Sequence, residues 1–286
     1  ELIILAVPVL SMAGLLKQVR PALEPEAVIS DVGSTKAEVI SELSSLLPEG
    51  CYVVGVHPLA GSEEAGIKYA DPAMLENAIY VLTPTAGTPQ KVVGKLASLI
   101  EATGAQPLVM DPSEHDRVVA MVSHLPHLVA AALAGSASCS DKTELIRTLA
   151  AGGFRDTTRV ALGNPEIWRD ICISNSEAIL QAMADFERVF KQLYCLIAQQ
   201  QGDQVEEFLR QARGFRRSIP HRGRGILPEL YEIVVLVPDT PGMIGELASL
   251  LGKAGINISS IEILHVRELE GGSIRLGFRE FMHQQA

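Results

Sequence analysis

Histidine, serine and arginine side chains follow apolar or glycine-rich stretches at several separate places in the 286-residue chain. His57 and Ser34 come after apolar runs, His124 and His127 lie three residues apart, and Arg159 follows a pair of glycines. An imidazole titrates near neutral pH and can accept a hydroxyl proton, whereas a guanidinium can bind a carboxylate through two hydrogen bonds. The combination predicts an acid–base centre beside an anion-binding group in one shared cleft.

His57 by itself allows two interpretations. It could cap the end of a strand as a structural residue, or it could act as a general base, which typically accelerates a reaction by about 10²- to 10⁴-fold. Pro58 and Gly61 fix an irregular loop after it, and such loops present side chains rather than bury them. We therefore interpret His57 as the candidate base.

The pair His124 and His127 would lie near one face of a helix, where it could bind a metal, contact a substrate or pack in the core. Pro126 between them disturbs helix geometry, and no Cys, Asp or Glu joins the pair at a ligand spacing. We therefore predict no metal site and favour substrate contact.

Arg159 stands three residues after Asp156, which could orient its guanidinium. A charge-assisted contact to a substrate carboxylate is worth roughly 1.5 to 3 kcal/mol, whereas the alternative, a surface ion pair, is worth about 0.2 to 1 kcal/mol. Trp168, the only tryptophan, is expected to pack in a helical core near this site.

Continuous apolar runs predict five parallel strands covered on both faces. These runs are residues 2–7, 28–29, 52–56, 78–82 and 108–110, and helices are predicted at 36–47 and 89–102. The alternation indicates an α/β fold, in which ligands bind beyond the carboxyl ends of the strands. No G-x-G-x-x-G motif occurs in the chain, so the sequence motif for a dinucleotide is missing.

After residue 111 the pattern becomes helical, with helices predicted at 112–135, 141–151, 165–201 and 204–217. The third helix is interpreted as a buried core helix or, alternatively, as a dimer interface. Its apolar residues recur at helical spacing: Ile173, Ile179, Leu180, Met183, Phe186, Val189, Phe190, Leu193 and Leu196.

Pro and Gly residues among basic side chains mark a linker at 219–229. Beyond it we predict a strand at 231–237, a helix at 241–255, strands at 256–267 and 273–278, and the start of a helix at 279–286. The expected domains are therefore 1–111, 112–218 and 230–286. A module as small as the last one gains from pairing with a second copy.

Composition narrows the function classes. The chain carries 24 Lys and Arg against 34 Asp and Glu, a formal net charge of −10, and no basic cluster with interleaved aromatics, so we predict no nucleic-acid partner. Four irregularly spaced cysteines fit reduced thiols in a cytoplasmic protein. The apolar first sixteen residues lack a basic leader, so we interpret them as a strand and its turn, with no membrane segment. Because no Met begins the chain, we expect upstream sequence in the natural protein.

The residues up to 217 resemble the prephenate/arogenate dehydrogenase family through four motifs. They are Asp-Val-Gly-Ser-Thr-Lys at 31–36, His-Pro-Leu-Ala-Gly at 57–61, Ser-His-Leu-Pro-His at 123–127 and Phe-Arg-Asp-Thr-Thr-Arg at 154–159. The stretches 239–245 and 255–258 resemble an ACT domain, a small amino-acid-sensing module. The resemblance implies a partial Rossmann-like domain, a helical substrate and dimerisation domain, and a partial ACT domain of ferredoxin-like α+β fold.

The resemblance also implies a reaction, the oxidative decarboxylation of prephenate to 4-hydroxyphenylpyruvate with hydride transfer to NAD or NADP in tyrosine biosynthesis. Arogenate is the alternative substrate, and a non-catalytic amino-acid sensor on the same scaffold is the alternative function. In this assignment His57 accepts the hydroxyl proton and Ser34 bonds at the reacting centre. Substrate-binding residues would be Arg159, His124, His127, Glu63 and Trp168, and cofactor-binding residues Val7, Pro8, Val32 and Gly33.

For the ACT module the resemblance implies a tyrosine effector, with a purely dimerising role as the alternative. The effector would bind where a helix N-terminus favours its carboxylate and a glycine lets it approach the backbone. The residues concerned are Asp239, Gly242, Met243, Ile244 and Asn257. The family's phosphate loop and ribose-binding acid would precede Leu2, and the last ACT strand would follow residue 286, so we expect a longer natural protein. We also expect it to form a homodimer through the helical domain.

Overall fold

The computed structural model describes residues 1–61, 66–219, 231–238, 240–264 and 272–278. The chain separates into two compact units, Glu1–Gly225 and Ile226–Ala286. The first unit contains an open five-stranded sheet followed by a set of helices, and the second contains a small three-stranded sheet with one helix.

The five-stranded sheet has the strand order β1-β2-β3-β4-β5. Strands β1 (Leu2–Leu5), β2 (Val28–Asp31) and β3 (Tyr52–Pro58) are parallel to one another. Strand β4 (Ile79–Pro84) pairs with β3 in antiparallel fashion, and β5 (Gln106–Val109) is parallel to β4.

The expectation that all five strands are parallel is therefore wrong for β4 and β5. A parallel return requires a crossover connection of a dozen or more residues, usually a helix, whereas the described residues between β3 and β4 form only two short 3₁₀ turns. An apolar run looks the same whichever way the strand runs, so the pattern in the sequence could not reveal the reversal.

Helices cover both faces of the sheet. Helices α1 (Met12–Val19) and α2 (Ala37–Leu46) pack on one face against Leu5 and Ile29, and α3 (Gln90–Ala102) packs on the other face against Val54 and Leu82. Adjacent strand residues such as Val53 and Val54 belong to opposite faces because side chains alternate along a strand. Helix α1 was not predicted, since the first sixteen residues were interpreted as a strand and its turn.

One continuous helical stretch begins the second half of this unit. It consists of α4 (Pro112–Val119), a π-helical turn (Ala120–His124) and α5 (Leu125–Ser138). Pro126 has no N–H, and its ring would clash with the carbonyl four residues earlier, which accounts for the widened turn just before it. By length and composition the stretch Pro112–Ser138 could cross a membrane, yet it carries His115 and Asp116 buried inside a packed unit.

Five further helices complete the unit. They are α6 (Thr143–Leu149), α7 (Gly152–Thr158), α8 (Pro165–Ser174), α9 (Ser176–Ala198) and α10 (Gly202–Ser218), and a 3₁₀ turn (Arg159–Leu162) follows α7. Helix α7 begins at the pair of glycines that precedes Arg159. The single helix expected over 165–201 is broken at Asn175, whose φ of −126° and ψ of 30° are not helical.

Helix α9 is mostly exposed in a single chain, so its interpretation as a buried core helix is wrong. Only Ile179 and Ala182 are buried. The other predicted positions form an apolar face at the surface, with Leu180, Met183, Phe186, Val189 and Phe190 all exposed by 38% or more. This face fits the alternative interpretation, a surface that a second chain covers.

The second unit contains β6 (Tyr231–Val237), α11 (Met243–Lys253), β7 (Ser260–Leu264) and β8 (Gly272–Phe278). The strand order is β6-β8-β7, and both pairings are antiparallel. Ile274 and Leu276 of the central strand β8 are buried. Strand β7 is shorter than the predicted strand 256–267, and the helix predicted at 279–286 lies outside the described residues.

Candidate active site

Three side chains from two elements form a buried chain of hydrogen bonds. His57 lies at the carboxyl end of β3, and its Nδ1 is 2.8 Å from Nε2 of His115 on α4. The Nδ1 of His115 is in turn 2.7 Å from Oδ1 of Asp116. His115 is fully buried and His57 half-buried, so the His57 end of this chain of hydrogen bonds is nearer to solvent and the other end lies inside the protein.

Asp116 also connects α4 to the start of α2. Its Oδ1 accepts a hydrogen bond from the backbone N–H of Lys36 at 2.8 Å, and its Oδ2 accepts one from the N–H of Ala37 at 2.8 Å. These donors belong to the first turn of α2, where backbone N–H groups have no helical partner and a carboxylate is favoured. Asp116 therefore fixes the 31–36 motif against the helix that carries His115.

A buried ion pair joins the first and last residues of this motif. The Nζ of Lys36 donates to Oδ2 of Asp31, and the same oxygen accepts from the N–H of Gly33 at 2.8 Å. Lys36 and Asp31 are both 0% exposed. Gly55 makes room for the lysine stem, because a Cβ there would lie 2.8 Å from Cδ of Lys36.

The helical half of the unit reaches the same network through Ser174 and Asn175, at the break between α8 and α9. The Oγ of Ser174 is 2.9 Å from Oγ1 of Thr35. The side-chain amide of Asn175 donates to the backbone carbonyl of Asp116 at 2.9 Å and lies 3.1 Å from Nδ1 of His124. The helix break thus delivers two polar side chains to the site instead of continuing an apolar face.

His127 and Trp168 form a flat stack next to His124. The ring centroids of His127 and Trp168 are 3.5 Å apart with an interplanar angle of 11°, and His124 meets the indole edge-on at 6.0 Å. Gly163 allows this stack, since a Cβ at that position would lie 2.6 Å from Nε1 of Trp168. The Nδ1 of His127 is buried and has no hydrogen-bond partner within the described ranges, so it is a candidate contact for a bound ligand.

Burial keeps three of these histidines neutral at neutral pH. Removal from water lowers the pKa of His57 well below its usual value, and the nearby His115, Lys36 and His124 lower it further. Burial also lowers the pKa of His124, to about 4, against a partial opposing effect of Asp116. The pKa of His127 is lowered by burial too, partly offset by a hydrogen bond with the backbone of Val160. A neutral imidazole is the form that can accept a proton.

The residues predicted to bind cofactor lie at the carboxyl ends of the first two strands. Val7 and Pro8 follow β1, and Val32 and Gly33 follow β2. Val7 and Val32 are half-buried and Pro8 is exposed, which provides an apolar surface of the kind that a flat ring can cover. Ser34 is half-buried between Gly33 and Thr35, in the turn that leads to α2.

Arg159 begins the 3₁₀ turn that packs against α5, the helix that carries His127. The residue is exposed in the single chain, and its neighbour Val160 is bonded to His127. The structure therefore brings the turn of Arg159 to the histidine pair. Glu63 lies outside the described residues.

Sequence reasoning missed His115, Asp116, Lys36 and Asn175. A His-Asp dipeptide in the first turns of a helix that follows a strand was the available signal, with Asp111 as the helix cap accepting from Ser113 and Glu114. Nothing in the local sequence indicates that this helix passes beside the end of β3. That proximity depends on the packing of α4 against α2 and β4.

The predicted effector residues lie at the start of α11. Gly242 adopts a φ of +94°, a left-handed conformation that favours glycine, and Met243 and Ile244 form the first turn of the helix. Asn257 is exposed after the helix, and Asp239 lies outside the described residues. In the described parts of the chain, no group of three or more His, Cys, Asp or Glu side chains is arranged to hold a metal ion.

Three family models match the chain in sequence order. The prephenate dehydrogenase nucleotide-binding domain matches residues 1–109, the prephenate dehydrogenase dimerization domain matches 111–211, and the ACT domain matches 231–281. Together they cover both compact units.

Individual relatives agree with these models. A prephenate dehydrogenase of Bacillus subtilis (strain 168) is 36% identical over 279 residues, which are 97% of this chain and 75% of that protein. The crystal structure of prephenate dehydrogenase from A. aeolicus in complex with hydroxyphenyl propionate and NAD+ superposes with a TM-score of 0.72 at 32% identity, covering 77% of this chain and 76% of that one. The crystal structure of Synechocystis arogenate dehydrogenase gives a TM-score of 0.69 at 34% identity, covering 77% and 79%.

Proposed function

Because the chain belongs to the prephenate dehydrogenase family, with a C-terminal ACT domain, we propose that it oxidatively decarboxylates prephenate to 4-hydroxyphenylpyruvate. It is a nicotinamide-dependent dehydrogenase of tyrosine biosynthesis, and its match to the family's nucleotide-binding domain, together with the NAD+ complex of a similar structure, supports NAD as the cofactor. The choice of prephenate over arogenate, the roles of single residues and the effector are proposals.

One observation supports the proposal above the others. A neutral histidine, His57, lies at the carboxyl end of β3, and a buried chain through His115 to Asp116 supports it from behind. In an open α/β sheet this edge is where ligands bind, so the imidazole is placed to meet a substrate hydroxyl. Oxidation of an alcohol requires a base that can accept the hydroxyl proton, and an imidazole can do so only when it is neutral.

The chemistry assigns each proton and bond. When bound, the nicotinamide accepts the hydride from the ring carbon that carries the hydroxyl. His57 accepts the hydroxyl proton, and the bond between the ring and its carboxylate breaks to release carbon dioxide. The electron pair of that bond passes through the ring to the new carbonyl oxygen, which becomes a phenolate and takes the proton back from His57. The base therefore stores the proton during the loss of carbon dioxide and returns it.

The remaining predicted residues are proposed to line the pocket around this base. Ser34 is proposed to bond at the reacting centre, and Arg159 to bind a substrate carboxylate. His124, His127 and Trp168 are proposed to line the pocket, where Nδ1 of His127, which has no hydrogen-bond partner among the described residues, would bond to a substrate oxygen. Glu63 is proposed to shape the rim of the pocket.

The apolar strand ends fit the nicotinamide end of the cofactor. Val7 and Pro8 would cover one part of the ring, and Val32 and Gly33 another, with the Ser34 hydroxyl beside it. NADP stays an alternative to NAD, because none of the proposed cofactor-binding residues distinguishes the ribose of one from that of the other. The reaction is assigned to the cytoplasm.

The test is a paired measurement of turnover and substrate binding. With prephenate and NAD+, the protein should generate the absorbance of reduced nicotinamide. His57→Asn should lower kcat by about 10²- to 10⁴-fold with KM changed little, because it removes the base. Arg159→Gln should mainly raise KM, roughly 10- to 150-fold, because it removes a charge-assisted contact of about 1.5 to 3 kcal/mol.

Arogenate is the second candidate substrate, since one of the similar structures is an arogenate dehydrogenase. Parallel assays with prephenate and arogenate, each with NAD+ and NADP+, decide both choices. A flat trace in all four assays, with cofactor binding verified, would instead favour a non-catalytic sensor. Normal turnover in His57→Asn would refute the assignment of the base.

The domain match extends the proposal to assembly and regulation. We assign residues 1–111 to cofactor binding, 112–218 to substrate binding and homodimerisation, 219–229 to a linker and 230–286 to regulation. Tyrosine is proposed as the effector, bound at Asp239, Gly242, Met243, Ile244 and Asn257. A purely dimerising ACT domain is the alternative.

A further inference from the structure

We propose that His115 and Asp116 are positioning residues, which hold the proton of His57 on Nδ1 and so present its Nε2 to the substrate as a free base. The proposal rests on the proposed function for the identity of the base. Neither residue was singled out by its sequence context.

The first step concerns Asp116, whose contacts are all with N–H groups or an imidazole. The N–H groups of Lys36 and Ala37 donate to its two oxygens, each at 2.8 Å. A carboxylate with such donors is ionised, because a protonated acid would need an acceptor for its own O–H. An ionised carboxylate can only accept, so the 2.7 Å contact requires that Nδ1 of His115 carries the proton.

The second step transfers this assignment to His57. In the proposed resting state His115 is neutral, and a neutral imidazole has one N–H, so once Nδ1 of His115 is the donor, its Nε2 is an acceptor. Among the described residues, Nε2 of His115 contacts Nδ1 of His57 at 2.8 Å, and Nδ1 of His57 must therefore donate. The lone pair of His57 is then on Nε2, the nitrogen that points away from His115. Without this partner the ring would exchange between two tautomers, of which only one is a base at Nε2.

The third step concerns the proton that His57 stores. When Nε2 takes up the substrate proton, the ring becomes an imidazolium whose Nδ1–H donates to His115, and the charge of Asp116 lies at the far end of the same chain. His115 is 0% exposed and Asp116 is 4% exposed, so little water screens this interaction. The charged forms of His115, Lys36 and His124 act against the protonation of His57, which makes the support from Asp116 more important.

The arrangement also explains why Asp116 is attached to α2. The carboxylate bonds to the backbone of residues 36 and 37, so its position does not depend on a flexible side chain. Helix α4 cannot rotate without breaking these bonds, and His115 is therefore held in one orientation relative to the end of β3.

The experiment compares two substitutions at one position. His115→Phe keeps an aromatic ring but removes the acceptor, whereas His115→Gln offers an amide oxygen that can accept from Nδ1 of His57. Glu114→Gln, an exposed neighbour on the same helix turn, is the matched control and should behave as wild type. Each variant is labelled with ¹⁵N-histidine, and the His57 signals are identified by their loss in His57→Asn.

In wild type and His115→Gln we expect His57 protonated on Nδ1 and not on Nε2. In His115→Phe we expect a mixture of tautomers, a fall in kcat of about 10²-fold and a KM within about threefold of wild type. His115→Gln should recover most of that loss in kcat. Thermal unfolding shows whether each variant is folded, and His115→Gln provides the answer if His115→Phe is not.

Protonation of wild-type His57 on Nε2 would overturn the proposal. So would an unchanged tautomer in His115→Phe, or equal losses of kcat in both variants. The NMR readout does not depend on turnover. A wild-type protein that fails to reduce NAD+ therefore contradicts the proposed function, whereas the wrong tautomer contradicts this inference.

Discussion

At the residue scale, the buried histidines connect stability to pH. The pKa of His124 is near 6.5 in an unfolded chain and about 4 in the folded protein, because burial disfavours its charged form. Between these values the unfolded chain binds a proton that the folded protein does not. The free energy of unfolding must then decrease as the pH falls from 6.5 towards 4. The lowered pKa values of His57 and His127 act in the same direction.

We therefore expect the titration of His124 to lower the free energy of unfolding by about 2 kcal/mol when the pH falls from 7 to 5. Urea unfolding of wild type and His124→Asn at both pH values measures it. Asparagine keeps an acceptor for the side-chain amide of Asn175 but does not titrate. The pH dependence should be smaller in the variant by roughly that amount, and an identical dependence in both proteins would refute the buried neutral state of His124.

The sequence identified several residues that the structure joins in one network, but not the groups that link them. His124, His127 and Trp168 are in contact, and His57 connects to His124 through His115, Asp116 and Asn175. Spacing rules find side chains on one helix face or after one strand. They cannot find a bond between residues 58 or 80 positions apart, such as His57 with His115 or Lys36 with Asp116.

At the element scale, β3 is packed so closely against α2 that its glycine cannot be enlarged. A Cβ on Gly55 would lie 2.5 Å from Oγ1 of Thr83 and 2.7 Å from Cδ1 of Ile40, in addition to its contact with Lys36. We expect Gly55→Ala to lower the free energy of unfolding by about 1 to 3 kcal/mol and to reduce kcat, because His57 is two residues further along the strand.

Gly94 on α3 is the matched control, since a Cβ there meets nothing within 4 Å. Gly94→Ala should raise the free energy of unfolding by about 0.5 to 1 kcal/mol through helix propensity, with kcat unchanged. Denaturant unfolding of both variants checks that the free energy of unfolding changes in opposite directions, and steady-state kinetics compares their kcat values. If Gly55→Ala were as stable as wild type, the close packing of β3 on Lys36 would be wrong.

The elements themselves were predicted unevenly. Helices α2 and α3 and the strands of the small second sheet agree with the patterns within a few residues, because their periodicity is regular. The direction of β4, the break at Asn175 and the π-helical turn before Pro126 depend on tertiary contacts. Of these three features, only the π-helical turn has a local signal in the sequence. That signal is Pro126, which is expected to disturb the helix.

At the scale of the whole molecule, the exposed apolar face of α9 should determine the oligomeric state. Phe186, Phe190, Tyr194 and Ile197 are 39 to 68% exposed in one chain, and this segment lies within the matched dimerization domain. Phe190→Glu would place a charge in the interface, which is costly without a partner. We expect analytical ultracentrifugation to find a dimer for wild type and a monomer for this variant.

Glu206→Gln provides the control, because it removes one exposed ion pair with Arg210 on α10 and no apolar surface. It should stay a dimer. A monomeric wild type, or a Phe190→Glu protein that stays dimeric at micromolar concentration, would exclude this face as the interface.

Regulation is tested on the same assembled protein. Calorimetry should detect tyrosine binding in wild type. Gly242→Ala should weaken it and reduce inhibition by tyrosine, because an alanine at a φ of +94° costs about 1 to 2 kcal/mol. Turnover without tyrosine should be unchanged. The absence of heat together with the absence of inhibition would support the purely dimerising role.

The stack of Trp168 on His127 has a practical consequence. Trp168 is the only tryptophan among 286 residues, so the indole fluorescence of the protein comes from the one ring that stacks on His127. If this stack lines the substrate pocket as proposed, the emission of the native protein should change when the pocket is occupied, and titrations in a fluorimeter need no added dye or chemical label.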